Sequence, residues 1–151
     1  MLTAIPRALF IAAAACMLLL PFAVHADTIK VVDPFVREVP PGAPATAAFM
    51  TLQNSGDTPV RLISAANDHT AHSELHNHVD VEGVMQMRQI EYIEVPAEGS
   101  VHLAPGGLHL MLIGLENAVH EGDNVTLTLH FDNGDTVELI APVRPVMPMH
   151  H

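Results

Sequence analysis

Beyond residue 26 the chain carries ten histidines, six methionines and no cysteine. A methionine thioether is a soft, uncharged donor that favours Cu(I), whereas imidazole accepts Cu(I) and Cu(II) alike. Where thiols are absent, a site that mixes the two is a natural Cu(I) site. The sharpest local feature is His109-Leu110-Met111. On a strand, residues i and i+2 share a face, so His109 and Met111 project together while Leu110 and Leu112 turn to the core. By the same rule His76 pairs with His78, and Met85 with Met87. A metal held in defined geometry needs three or four donors from separate elements. Three adjacent strands could supply His76, Met87 and the His109/Met111 pair. Taken alone, Met111 reads as a core filler and His76 as a surface histidine; only the joint pattern points to ligands. His69, His72 and His78 sit in or beside a polar loop and read as solvated histidines, a weak Cu(II) or Zn(II) site being the alternative. His102, His120 and His130 read as surface residues.

The elements that must position these donors are short strands. No long 3.6-residue apolar period occurs beyond residue 26; runs of period two, separated by turn residues, dominate. Strands are predicted over 28–32, 45–53, 60–65, 72–78, 84–90, 100–103, 108–115, 124–131 and 136–143. Pro40-Pro41-Gly42-Ala43-Pro44 reads as a rigid loop. Pro105-Gly106-Gly107 turns the chain into the His109 strand and places the donor pair near a strand end. Val125, Leu127, Leu129 and Phe131 alternate onto one face, and Asn133-Gly134 predicts a two-residue type I′ hairpin. Eight or nine such strands imply an all-β, antiparallel sandwich or barrel.

Residues 1–26 read as a secretory signal peptide, with Arg7 ahead of an apolar run and Ala26 at the cleavage point. The run is short for a membrane span, which needs about 20 residues, so no span is expected after cleavage. Cys16 invites a lipoprotein reading, but residues 17–22 are still apolar and argue against it. Removal leaves residues 27–144 as one domain and 145–151 as a flexible Met/His tail. That chain keeps all 17 acidic residues against Lys30, Arg37, Arg61, Arg88 and Arg144, a formal charge of −12 with histidine neutral. Such a surface repels nucleic acid and anionic membranes and suits cations or basic partners. Without a thiol it can hold no disulfide, cysteine nucleophile or blue-copper ligand. No Ser/His/Asp order or paired-carboxylate pattern suggests an enzyme.

The spacing His76, ten residues, Met87, twenty-one residues, His109, one residue, Met111 resembles the H-x10-M-x21-H-x-M pattern of the periplasmic Cu(A) chaperone family, PCuAC. The flanking residues are similar to that family too: Pro40-Pro41-Gly42, Glu74-Leu75-His76, Gly83-Val84-Met85-Gln86-Met87 and the stretch from Pro105 to Leu112. The resemblance covers nearly the whole chain beyond residue 26. It implies a cupredoxin-like fold with Greek-key type connections. It also implies a Cu(I)-ligand role for His76, Met87, His109 and Met111, and periplasmic delivery of copper toward the Cu(A) site of cytochrome c oxidase. The acceptor would be oxidase subunit II or another copper protein, with a Sco-type thiol protein sharing the task. The family's longer Met/His tail is reduced here to Met147, Met149, His150 and His151, where a second, weaker Cu(II) is expected. Copper buffering or resistance uses the same site and is the alternative task.

Overall fold

The computed structural model describes residues 27–145. The expected signal peptide and the tail donors Met147, Met149, His150 and His151 lie outside the described residues. Ten strands and no helix occur among those described: β1 (Ile29–Arg37), β2 (Ala45–Asn54), β3 (Val60–Asn67), β4 (His72–Val81), β5 (Val84–Ile90), β6 (Ile93–Val95), β7 (Gly99–Leu103), β8 (His109–Ile113), β9 (Asn124–Phe131) and β10 (Thr136–Arg144). The all-β expectation holds among the described residues. The short β6 was not foreseen, because three residues are too few to display a period.

The strands form one hydrogen-bonded path, β5-β4-β8-β2-β1-β10-β9-β3-β6, with β7 added to β2. Pairing is antiparallel except where β1 meets β10 in parallel at Val36–Val143 and Arg37–Arg144. This corrects the expectation of a purely antiparallel sheet. The parallel pair joins the chain's first and last strands, which period-two reading of each strand cannot register.

Alternation sets the layers. Leu75, Leu110, Leu112, Ala48, Met50 and Leu52 from β4, β8 and β2 are buried in one core with Leu62, Val125, Leu127, Leu129 and Phe131 from β3 and β9. Each fully buried leucine removes its side chain from water, worth about 1.5–3 kcal/mol. The donor residues occupy the alternate positions of β4 and β8, on the opposite face of the same strands.

Two turns differ from expectation in an instructive way. At β9–β10 the two-residue type I′ turn does not form: Asn133 keeps a negative φ and only Gly134 is left-handed (φ 89°). Asn133 instead caps the turn, its Oδ1 accepting from Asp135 N at 3.0 Å, an Asx-type arrangement that competes with the hairpin geometry. The type I′ signature appears at β4–β5, where Glu82 (φ 55°) and Gly83 (φ 83°) are both left-handed and Val81 pairs with Val84. Asp80 Oδ1 accepts from Gly83 N at 2.7 Å and closes this turn.

Candidate metal centre

The tight Glu82-Gly83 turn leaves no slack between β4 and β5, so it fixes which residues face each other. His78 stands opposite Met87, and Asp80 opposite Met85. On the other side of β4 the register sets His76 opposite His109 and Glu74 opposite Met111. Residues directly paired in an antiparallel ladder lie on one face. His76, His78, Met87, His109 and Met111 therefore share the outer face of β5-β4-β8. The structure thus brings all four sequence-predicted ligand residues onto one face, with Leu75 and Leu110 turned to the core beneath them.

A cavity of about 160 Å³ lies over this face, lined by His78, Met87, His109 and Met111 together with Arg37, Phe49 and the Pro105-Gly106 turn. His109 opens β8 directly after that turn, where Gly106 takes φ 84°. Although it lies on the outer face, His109 is only 2% exposed. Phe49 stands 6.2 Å from its ring, and the rings of His76 and His78 stand at 5.7 and 5.3 Å. Met87 is 45% exposed at the cavity rim, where a cation or an incoming ligand meets a thioether first.

The hydrogen bonds leave particular nitrogens open. His109 Nδ1–H donates to the Gly107 carbonyl at 3.0 Å, which leaves Nε2 with its lone pair. His76 Nε2–H donates to Glu74 Oε2 at 2.7 Å, while its Nδ1 is buried without a partner. A histidine whose second nitrogen is held by a carbonyl or carboxylate is the usual state of a metal ligand, fixed in tautomer and orientation. Glu74 also accepts from His72 Nε2–H at 2.8 Å. These bonds, that from His76 foremost, hold the Glu74 carboxyl below its ordinary range. Burial pushes the His109 imidazole below its ordinary range, the neighbouring imidazoles and Arg37 adding to that while the Gly107 bond opposes it. His109 is therefore unprotonated at neutral pH, as a ligand must be.

Ring spacing can be compared with a bound state. A nitrogen about 2.0 Å from a metal puts the ring centre about 3.1 Å away, and two such rings at tetrahedral to trigonal angles stand about 5.1–5.5 Å apart. The observed 5.7 Å between His76 and His109 is close to that. Among the described residues no three His, Asp or Glu side chains are already arranged around one point as ligands, so binding of a metal requires side-chain rotation, and the methionines add donors of another type.

Comparison with known proteins fits this geometry. Residues 29–143 match the family described as "Putative lipoprotein LpqE-like". The chain belongs to this family. The "Putative lipoprotein Lxx21020" of Leifsonia xyli subsp. xyli (strain CTCB07) is 31% identical over 121 residues, covering 80% of this chain and 72% of that protein. Among solved structures, the copper-bound PCuAC domain from PmoF2 is 25% identical, with a TM-score of 0.67 over 79% of this chain and 94% of that one. The Cu(I) form of DR1885 from Deinococcus radiodurans is 32% identical, with a TM-score of 0.63 over 80% and 83%. The PCuAC resemblance drawn from the sequence holds for family and fold.

Within this LpqE-like chain the structure revises the reading of the other histidines. His72 is exposed, and His69 Nε2 lies 3.3 Å from the Asn124 carbonyl. His78 departs from expectation: it is not a solvated histidine at the edge of a loop but a half-buried member of β4, lining the cavity, with Nδ1 buried and unpartnered. The solvated reading failed because the strand, expected to end at His78, continues to Val81. The period-two run Glu74-x-His76-x-His78 was the signal available in the sequence. Glu74, Phe49 and Arg37 were also missed, since the bond of Glu74 to His76 and the approach of Phe49 and Arg37 to His109 depend on how β4, β2 and β1 are placed around the site. His102 and His120 are exposed as expected, whereas His130 is half-buried.

Proposed function

We propose that this protein is a copper carrier that binds Cu(I) through His76, Met87, His109 and Met111, with no catalytic step of its own. The observation that carries the reading is the shared outer face. Two imidazoles and two thioethers from three adjacent strands stand there in fixed register, with His109 Nε2 and His76 Nδ1 open. The relatives solved with copper bound support the choice of metal. Two imidazoles and two thioethers add no negative charge to Cu(I), so the site holds it less tightly than thiolates would. That favours release to an acceptor containing cysteine, by stepwise exchange in which the exposed Met87 leaves first.

The setting we propose is the periplasm, reached by the signal at residues 1–26. The acceptor is the Cu(A) site of cytochrome c oxidase subunit II, with a Sco-type thiol protein able to share the task. Among the described residues no helix is long and apolar enough to cross a membrane. Met147, Met149, His150 and His151 would add a second, weaker Cu(II). Loss of the gene separates delivery from copper buffering: oxidase activity falls in the first case, copper tolerance in the second.

The ligand set is tested by replacing Met87 and Met111 together with Leu. The exchange nearly conserves volume and costs less than about 1.5 kcal/mol per site, less still at the exposed Met87. Tight Cu(I) binding should disappear, measured anaerobically against a chromophoric Cu(I) chelator, while the far-ultraviolet circular dichroism is retained. Unchanged Cu(I) affinity in the double variant would remove the thioethers from the site.

A further inference from the structure

The ligand set proposed above leaves His78 without a task, and its surroundings do not fit a solvated histidine. It shares the outer face with His76, two residues away on β4, and stands opposite Met87 on β5. It lines the same cavity as His109 and Met111. Its ring centre is 5.3 Å from that of His109, inside the range of about 5.1–5.5 Å for two imidazoles on one metal. Its Nδ1 is buried and makes no hydrogen bond, as is His76 Nδ1. A buried imidazole nitrogen without a partner forgoes its solvation unless something fills the place. Two of them lie in one cluster, both beside His109, and each offers a lone pair.

We propose that His76, His78 and His109 form a three-imidazole site for Cu(II), overlapping the Cu(I) site and sharing two of its ligands. The chemistry of the donors separates the two. Nitrogen suits divalent copper and thioether suits monovalent copper. The pocket presents both kinds on adjoining sides: the imidazoles of His78 and His109, with His76 next to them on β4, and the sulfurs of Met87 and Met111. Copper in either oxidation state then finds a complete donor set without any change in the strands, only turns of side chains about the fixed His109. The cavity admits the ion from the Met87 side, and Glu74 holds His76 for both sets. The proposal rests on the carrier reading only in sharing His76 and His109 with it.

The experiment uses the full chain with His150→Gln and His151→Gln, which removes the tail imidazoles as competitors for Cu(II). One equivalent of Cu(II) is added and the nitrogen superhyperfine pattern is read by electron paramagnetic resonance. Affinity is measured by competition with glycine. The expected result is three nitrogen ligands in this background and two after His78→Gln. Because loss of an outer-sphere partner alone costs about 10–100-fold in affinity, loss of this ligand should weaken Cu(II) binding by at least about tenfold. Cu(I) affinity, measured anaerobically, should stay within a factor of about three, which also certifies the fold. With Met87→Leu and Met111→Leu added instead, Cu(II) binding should persist. A two-nitrogen pattern before the His78 change, or Cu(II) affinity unmoved by it, overturns the proposal. So does an equal loss of both oxidation states, since His78 would then serve the fold or a single common site. Failure of the Cu(I) reading shows elsewhere, as Cu(I) affinity that survives loss of both thioethers.

Discussion

Removing the Glu74 carboxylate tests whether the site is positioned before metal arrives. Glu74 makes no contact with copper in the proposed site; it holds His76 Nε2–H at 2.7 Å and His72 Nε2–H at 2.8 Å. Glu74→Gln keeps the shape but replaces the charge-assisted acceptor by an amide, whose carbonyl is a weaker one and whose NH2 can only donate. His76 then loses the fixed tautomer that leaves Nδ1 open toward His109. Outer-sphere carboxylates of this kind are worth about 10–100-fold in metal affinity, and the second acceptor bond, to His72, further fixes the Glu74 carboxylate. We expect Cu(I) affinity to fall by about 10–100-fold, measured by anaerobic chelator competition, with the thermal midpoint little changed because the carboxylate lies at the surface. Long-range nitrogen–proton correlation spectra should show the His76 Nε2–H tautomer in the parent and a mixture in the variant. The carboxyl is held below its ordinary value of 4.5, so the folded-state contact is complete above that pH and lost only as pH falls through the lowered value. The effect of the substitution should accordingly be the same at pH 6 and pH 7.5. An affinity within threefold of the parent, with an unchanged His76 tautomer, would refute the positioning argument.

Three further outcomes follow from the same framework. Gly83→Ala places a side chain at φ 83° where no atom lies within 4 Å of the added carbon, so the cost is torsional only, about 1–2 kcal/mol. It should appear as a lower denaturant midpoint together with weaker copper binding, since this turn sets the His78–Met87 register. Leu110→Ala removes a fully buried side chain directly between the two ligands of β8 and should destabilise the domain by about 2–5 kcal/mol in urea unfolding. In the metal-free protein His109 titrates below its ordinary 6.5, so the unfolded chain binds this proton first. Stability at this position is therefore full above 6.5 and declines as pH falls from there through the lowered folded value. Unfolding midpoints between pH 7.5 and 5 should show the decline, and His109→Gln should flatten it.

The sequence by itself determined the periodicity and, through it, most of the strands and the placement of the ligands on one face. His109 and Met111 had to project together because Leu110 and Leu112 belong to the core, and a strand alternates. The absence of cysteine beyond residue 26 excluded thiolate copper ligands from that stretch before any fold was known. What the tertiary structure decided is register and neighbourhood. Glu74-x-His76-x-His78 reads as three equivalent positions along one strand, yet only pairing with β8 sets Glu74 against Met111 and His76 against His109. Only pairing with β5 sets His78 against Met87. Burial was equally hidden: His109 and His120 are alike as letters, but one is sealed by Phe49, His76 and His78 while the other stands in solvent. The parallel pairing of β1 with β10 was invisible for the same reason. Alternation is a local property, written residue by residue along the chain. Which strand lies beside which depends on contacts between segments far apart in sequence, and no single segment carries that information.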